Sequence, residues 1–261
     1  MPRMRKFKML VNRQRKEEMT RRRGKKPKVQ KIPLLKSPKP ETEAYIPRTP
    51  SPKTEGQATL LDAINKSIVT VCIGAAGTGK THLAIGSAVQ MFRAGVVDRI
   101  AISRPLVGAD EDAGALPGDK DEKIAPYLQP LFDELEYYAS KSEIATWKNS
   151  QKLIIAPLQY MRGRTFKKTF LILDEAQNAS NRQLKMIVSR LGWGGRLVIN
   201  GDTTQCDLPK WQRGGLQFLA DRLVRMEDRG VRVVHLQKRD IVRHPLIGDI
   251  LERIEDIDAN L

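Results

Sequence analysis

Residues 74–81 read GAAGTGKT, a stretch where glycine, lysine and a hydroxyl recur at the spacing phosphate chemistry needs. Gly74, Gly77 and Gly79 let the backbone close around phosphate oxygens, with Ala75, Ala76 and Thr78 contributing to the same loop. A helix that starts here points its positive end at the phosphates. Lys80 can reach the β- and γ-phosphates of a nucleotide, and Thr81 offers a hydroxyl to Mg²⁺. The loop follows the β-branched run SIVTVCI and opens the helical stretch THLAIGSAVQMFRAG, which is the context the pattern requires. ATP is the expected ligand and Mg²⁺ the expected metal.

Two further strand ends carry polar groups suited to the same chemistry. In TFLILDEAQNAS an apolar run stops at Asp174 and Glu175. An acid there can hold the Mg²⁺ shell, and its neighbour can activate the attacking water, so Asp174 is assigned to the metal and Glu175 to general base. The plainer alternative is that the two carboxylates cap the next helix. In RLVINGDTTQCDLP another apolar run ends in Asp202 and, three residues on, Gln205. If all three strand ends face one ligand, the Gln205 amide can bond the γ-phosphate or the attacking water and lose that bond on hydrolysis, while Asp202 orients its loop or the waters of the metal.

The elements that must position these groups are legible as alternating strand and helix signals. Strand runs occur at SIVTVCI, DRIAIS, KLIIAP, TFLIL, RLVING and VRVVHL. Helical spacing separates them, as in NRQLKMIVSRLG and LQFLADRLVRM. The pattern predicts an α/β fold with a mostly parallel sheet and helices on both faces. The helix after Pro117 should be interrupted at Pro126 and Pro130, and PLIGDILERIEDI should form a last helix.

Charge divides the chain. The formal net charge is +16, yet residues 1–53 hold 18 Lys/Arg against Glu17, Glu18, Glu41 and Glu43, whereas residues 54–261 are nearly balanced. The first segment is also broken repeatedly by proline, so it reads as a disordered basic tail, residues 1–53, ahead of one domain, residues 54–261. Such concentrated positive charge fits attachment to nucleic-acid phosphates, with a solubilising tail as the alternative. The two cysteines, Cys72 and Cys206, suggest no disulfide framework. No apolar run is long enough to cross a membrane and no secretory signal precedes the body, so a cytoplasmic location is expected. The three histidines and two cysteines lack zinc-like spacing, and Trp147, Trp193 and Trp211 read as packing residues.

With these elements in hand, residues from about Gly56 onward resemble the PhoH family of P-loop ATPases. The resemblance is carried by GAAGTGKTHLA, SRPLV, LPGDKDEKIAPYLQPLFDEL, APLQYMRGRTF, FLILDEAQNAS, GDTTQCDLP and VRHPL, in that order. It implies a RecA-like core related to the motor domains of helicases, ATP hydrolysis, and action on RNA or single-stranded DNA. Some relatives carry a nuclease domain ahead of the ATPase; the basic tail stands in that place here, so nuclease activity is not expected. One core cannot build a two-sided ATP cleft, which implies a homo-oligomer, with a hexameric ring favoured and an arginine supplied in trans.

Arg213 in WQRGG and Arg243 in VRHPL are the candidates for that arginine. Arg104 in SRPLV resembles a loop that touches the nucleic-acid backbone, and Arg162 and Arg164 in MRGRT would do likewise or hold a subunit interface; the bland reading of each arginine is a surface ion pair. Gln57 sits about where helicases place an adenine-reading glutamine, the alternative being an exposed polar residue ahead of a helix. Beside a ring-shaped helicase or translocase stand two other readings: a nucleotide-switched RNA–protein remodelling factor that does not separate strands, and a small-molecule kinase.

Overall fold

The computed structural model of the protein describes residues 47–106 and 120–242. Six strands, β1 (Val69–Ile73), β2 (Arg99–Arg104), β3 (Leu153–Pro157), β4 (Thr169–Leu173), β5 (Arg196–Gly201) and β6 (Val231–His235), form one sheet in the order β3-β2-β4-β5-β1-β6. Every pairing in it is parallel. Parallel neighbours need crossovers, and the helices α1 (Glu55–Lys66), α2 (Lys80–Arg93), α3 (Lys120–Tyr138), α4 (Lys141–Asn149), α5 (Asn181–Val188) and α6 (Gly215–Leu223) run before or between the strands.

The alternation of side chains along each strand divides the apolar residues between two cores. Cys72, Ile100, Ile102, Phe170, Ile172 and Val198 pack with α1 to α4, through residues such as Leu60, Leu83, Leu131 and Leu135. Val71, Ile73, Ala101, Leu171, Leu173 and Ile199 face the other way, onto Leu184 and Ile187 of α5 and Leu216 of α6. With both faces covered, β4 is buried along its whole length. The α/β sheet with helices on both faces is therefore as expected.

Two expectations are corrected. Pro126 and Pro130 lie inside α3 and do not break it. Both are exposed, so the carbonyls that lose an N–H partner can bond water, while Leu128, Leu131, Leu135 and Tyr138 anchor the opposite side in the core. Of the tryptophans, Trp147 packs edge-on against Phe92, but Trp193 and Trp211 are 89% and 81% exposed. They sit in a glycine-flanked turn and a short 3₁₀ segment that present no core-facing side. Gln57, for which the alternative reading was an exposed polar residue ahead of a helix, is buried in the first turn of α1. The expected tail up to residue 46, the start of the helix after Pro117, the last helix and Arg243 lie outside the described residues. Residues 48–53 pack against the body: Pro50 is buried and the Arg48 guanidinium lies 4.3 Å from the centre of the Tyr137 ring.

Candidate nucleotide site

Parallel pairing sends every strand's carboxyl end to the same edge of the sheet, and that edge collects the polar residues. Register fixes the alignment. Ile73 at the end of β1 lies opposite Gly201 of β5, and the Gly74 N–H donates to the Gly201 carbonyl at 3.1 Å. β4 is the next strand beyond β5, so Asp174 and Asp202 emerge near the loop that follows β1.

That loop folds as its glycines permit. Gly77 and Gly79 have φ of +83° and +81°, a region costly for residues with a Cβ, and Gly79 directly precedes Lys80 at the start of α2. The Lys80 ammonium reaches back across the loop to the carbonyls of Gly74 and Ala75, at 2.6 and 2.8 Å. The Thr81 hydroxyl donates to Oδ1 of Asp174 at 2.6 Å, which joins the first turn of α2 to the end of β4. Asp174 is 2% exposed. These groups line a cavity of about 420 Å³ that also includes Ala76, Gly79 and Glu175, and Gln57, Lys53 and Val242. A volume of that order is typical of a small-molecule site.

Arg104, at the end of β2, was expected to touch nucleic acid or to form a surface ion pair. Its ion pair is with a buried partner rather than at the surface: its Nη2 donates to the buried Oδ2 of Asp174 at 2.6 Å, and its Nη1 to the Tyr127 carbonyl at 3.5 Å. Both oxygens of Asp174 thus accept a hydrogen bond, one from a cation. β2 and β4 are adjacent, which is why Arg104 reaches this carboxylate. No local pattern announces that contact.

Glu175 carries the backbone φ of +52° that non-glycine residues rarely adopt. Its Oε2 accepts from Gln177 Nε2 at 2.6 Å, and Gln177 Oε1 accepts the Asp202 N–H at 2.9 Å. Asp202 in turn accepts from Thr204, through both its N–H at 3.0 Å and its hydroxyl at 2.6 Å, and from the Ala76 N–H at 3.2 Å. Asp202 therefore orients its own loop and touches the phosphate loop. The neighbouring pair Asn178 and Asp207 exchanges two more bonds, of 3.0 and 2.8 Å, between the β4 and β5 loops. Gln177 and Asn178 are site residues that sequence reasoning missed; amides after a strand end were the available signal.

Gln205 is exposed and lines a second cavity, of about 610 Å³, shared with Arg104, Tyr127 and Glu175, rather than the one around the phosphate loop. Arg213 is exposed, and its Nε donates to the Leu208 carbonyl at 2.7 Å. Arg162 and Arg164 are exposed in the turn before Phe166. Burial pushes the Cys72 thiol up to about 12, so it is an inert core group, and both cysteines are free.

For a divalent cation, the donor set at Thr81 and Asp174 fits Mg²⁺: hard oxygens, one hydroxyl and one carboxylate, with room in the cavity for phosphate and water ligands. Among the described residues no three His, Cys, Asp or Glu side chains gather into a further metal site, and no helix is long and apolar enough to cross a membrane.

The sequence model of the family described as PhoH-like protein matches residues 50–255. A PhoH-like protein of Synechocystis is 45% identical over 203 residues, covering 78% of this chain and 61% of that protein. Protein PhoH of Escherichia coli is 43% identical over 197 residues, covering 74% of this chain and 55% of that one. The chain spans about three-fifths of the length of the curated relatives it matches. Among solved structures, the large terminase of a thermophilic bacteriophage aligns over 78% of this chain and 50% of its own at 11% identity, with a TM-score of 0.49, too loose a likeness to carry an argument.

Proposed function

The chain belongs to the PhoH family of P-loop NTPases, and from that premise we propose that it hydrolyses ATP with Mg²⁺ and does so in response to RNA or single-stranded DNA. The observation that carries the reading is the joined set of Lys80, Thr81 and Asp174 beside Glu175 in one cavity. Lys80 would bind the β- and γ-phosphates, and Thr81 with Asp174 would hold the ion, which when bound would supply the charge neutralisation that phosphoryl transfer needs. Glu175 accepts a proton from the attacking water, and the Gln177 amide keeps its carboxylate from rotating away. Gln57, from the first turn of α1, meets the adenine.

Action on nucleic acid is supported by the charge of residues 1–53 and by the family resemblance. A homo-oligomeric ring is supported by the exposure of Arg213, which leaves most of its guanidinium for a neighbouring subunit's γ-phosphate; Arg243 is the other candidate. Gln205 lies beside Glu175 in the second cavity, a position from which a bound strand and the hydrolysis site would be felt together.

ATP turnover with and without single strands, for the wild type, Lys80→Ala and Glu175→Gln, tests the core of this reading. Both variants should lose ~100-fold or more in kcat. Turnover that survives both substitutions would remove these residues from the reaction.

A further inference from the structure

Part of the nucleotide cavity's lining belongs neither to the phosphate loop nor to the strand ends. Lys53 and Gln57 supply it from around the start of α1, and Val242 from the chain beyond β6. At this wall one carboxylate links the two segments by hydrogen bonds.

Asp240 is 2% exposed. Its Oδ1 accepts the Thr54 hydroxyl at 2.7 Å and the Gly56 N–H at 3.2 Å, and its Oδ2 accepts the Gln237 N–H at 2.8 Å. Thr54 and Asp240 are 186 positions apart in the chain. The fit is close: a Cβ on Gly56 would meet the Asp240 carboxylate, which would have to shift from its hydrogen bonds. The Thr54 bond, then the Gln237 amide, hold this carboxyl below the usual carboxylate range, outweighing the effect of its burial.

Two routes run from Asp240 to the phosphate loop. In the first, the Thr54 oxygen also accepts the Gln57 N–H at 3.2 Å and caps α1. The Gln57 side chain then donates from Nε2 to the Thr78 carbonyl at 3.0 Å and accepts the Lys53 N–H at 2.8 Å. In the second, the chain leaves Asp240 and the Val242 N–H donates to the Gly77 carbonyl at 3.0 Å. Both routes end on successive carbonyls of the loop, just ahead of Gly79 and Lys80. Gln57 is thereby a brace on the loop as well as a cavity wall.

We propose that Asp240 is a positioning residue for an adenine nucleotide: by clamping the start of α1 and the segment through Val242 onto Gly77 and Thr78, it sets nucleotide affinity and the preference for adenine over guanine. This rests on the reading of the cavity as a nucleotide site and of Gln57 as the residue that meets the adenine. The carboxylate touches no nucleotide; it acts through Thr54, Gln57 and Val242. An amide in its place must turn an NH₂ toward a donor already present, either Gln237 N–H or the Thr54 and Gly56 pair.

The test uses the full chain without metal or strands, so that binding is read independently of turnover. A fluorescent methylanthraniloyl-ADP is bound and then displaced by ADP and by GDP, for the wild type, Asp240→Asn, Thr54→Val and Thr54→Ser. Asp240→Asn should weaken ADP about tenfold or more, the scale of losing a hydrogen bond to a charged group, and GDP by much less. Thr54→Val should shift both in the same direction, while Thr54→Ser, which keeps the hydroxyl, should restore the wild-type values. In turnover assays KM for ATP should rise by a larger factor than kcat falls. If Asp240→Asn does not fold, Thr54→Val, which removes only one bond, decides the matter. ADP affinity unchanged in these variants, or ADP and GDP weakened equally, would overturn the proposal alone. A wild type that binds no ADP would overturn the nucleotide reading and this proposal with it.

Discussion

Glu175 reaches its position through an uncommon backbone geometry and one amide. A φ of +52° in a residue with a side chain costs about 1 kcal/mol or more and persists only where the surroundings over-determine it. Those surroundings are Gln177, 5% exposed, whose two ends bind Glu175 Oε2 and Asp202 N–H at 2.6 and 2.9 Å. Gln177→Leu keeps roughly the same volume and removes both bonds. It should lower kcat by about 10- to 100-fold through misplacement of the base while leaving ADP affinity near wild type, because Lys80 and the phosphate loop are untouched. Equilibrium binding and single-turnover rates measured on the same preparation separate the two effects; an equal loss in both would make Gln177 a brace for the whole cavity instead. The residues that could be assigned from sequence, Lys80, Thr81, Asp174 and Glu175, are those whose chemistry is announced by close neighbours in the chain. Arg104, Gln177 and Asp240 were not legible in this way. Each acts on the site through a partner brought near by the order of strands or by a loop, and that order is a property of the fold.

At the scale of elements, the sheet was readable because its central strands, buried on both faces, are near-continuous apolar runs, and the edge strands β3 and β6 still carry β-branched residues. Helices were less so. α4 has few apolar residues and no strong stripe, yet its start is marked by Ser140 and Glu143, three apart, and the structure closes them into a reciprocal cap. The Glu143 carboxylate bonds the Ser140 N–H at 2.9 Å and also pairs with Arg93 of α2 at 2.9 Å, so this cap ties α4 to the helix that follows the phosphate loop. Ser140→Ala should cost ~1 kcal/mol of stability, measured as a shift in the denaturation midpoint at constant slope. ADP affinity should not change, since the cap is remote from the cavity lining. α3 teaches the opposite lesson. Two prolines four apart look like a break, but burial of Leu128, Leu131, Leu135 and Tyr138 along one side outweighs two missing hydrogen bonds on a wet face. Tertiary packing decides there, and a local rule cannot see it.

At the scale of the whole molecule, the question is how a nearly neutral body with the proposed nucleotide cavity would hold a polyanion. Residues 1–46 contain 16 Lys/Arg and four Glu, so most of the excess charge lies ahead of the packed body. The boundary matters for any truncation. Arg48 stacks on Tyr137, Pro50 is buried, and Lys53 donates its N–H to Gln57 at 2.8 Å, so a cut at residue 53 would damage the cavity as well as remove charge. Deleting residues 1–46 instead leaves these contacts in place. The shortened chain should bind ADP like the full one but bind single strands more weakly, with a shallower dependence on salt. Each lost phosphate contact lowers the slope of log K against log salt by about 0.7, so a loss of several contacts is easily resolved in a titration from low to physiological ionic strength. At high salt the two chains should converge, because the term that separated them has been screened away. A full-length slope retained by the shortened chain would move the phosphate contacts onto the body, and Arg162 and Arg164, exposed in the turn before Phe166, would be the first residues to substitute.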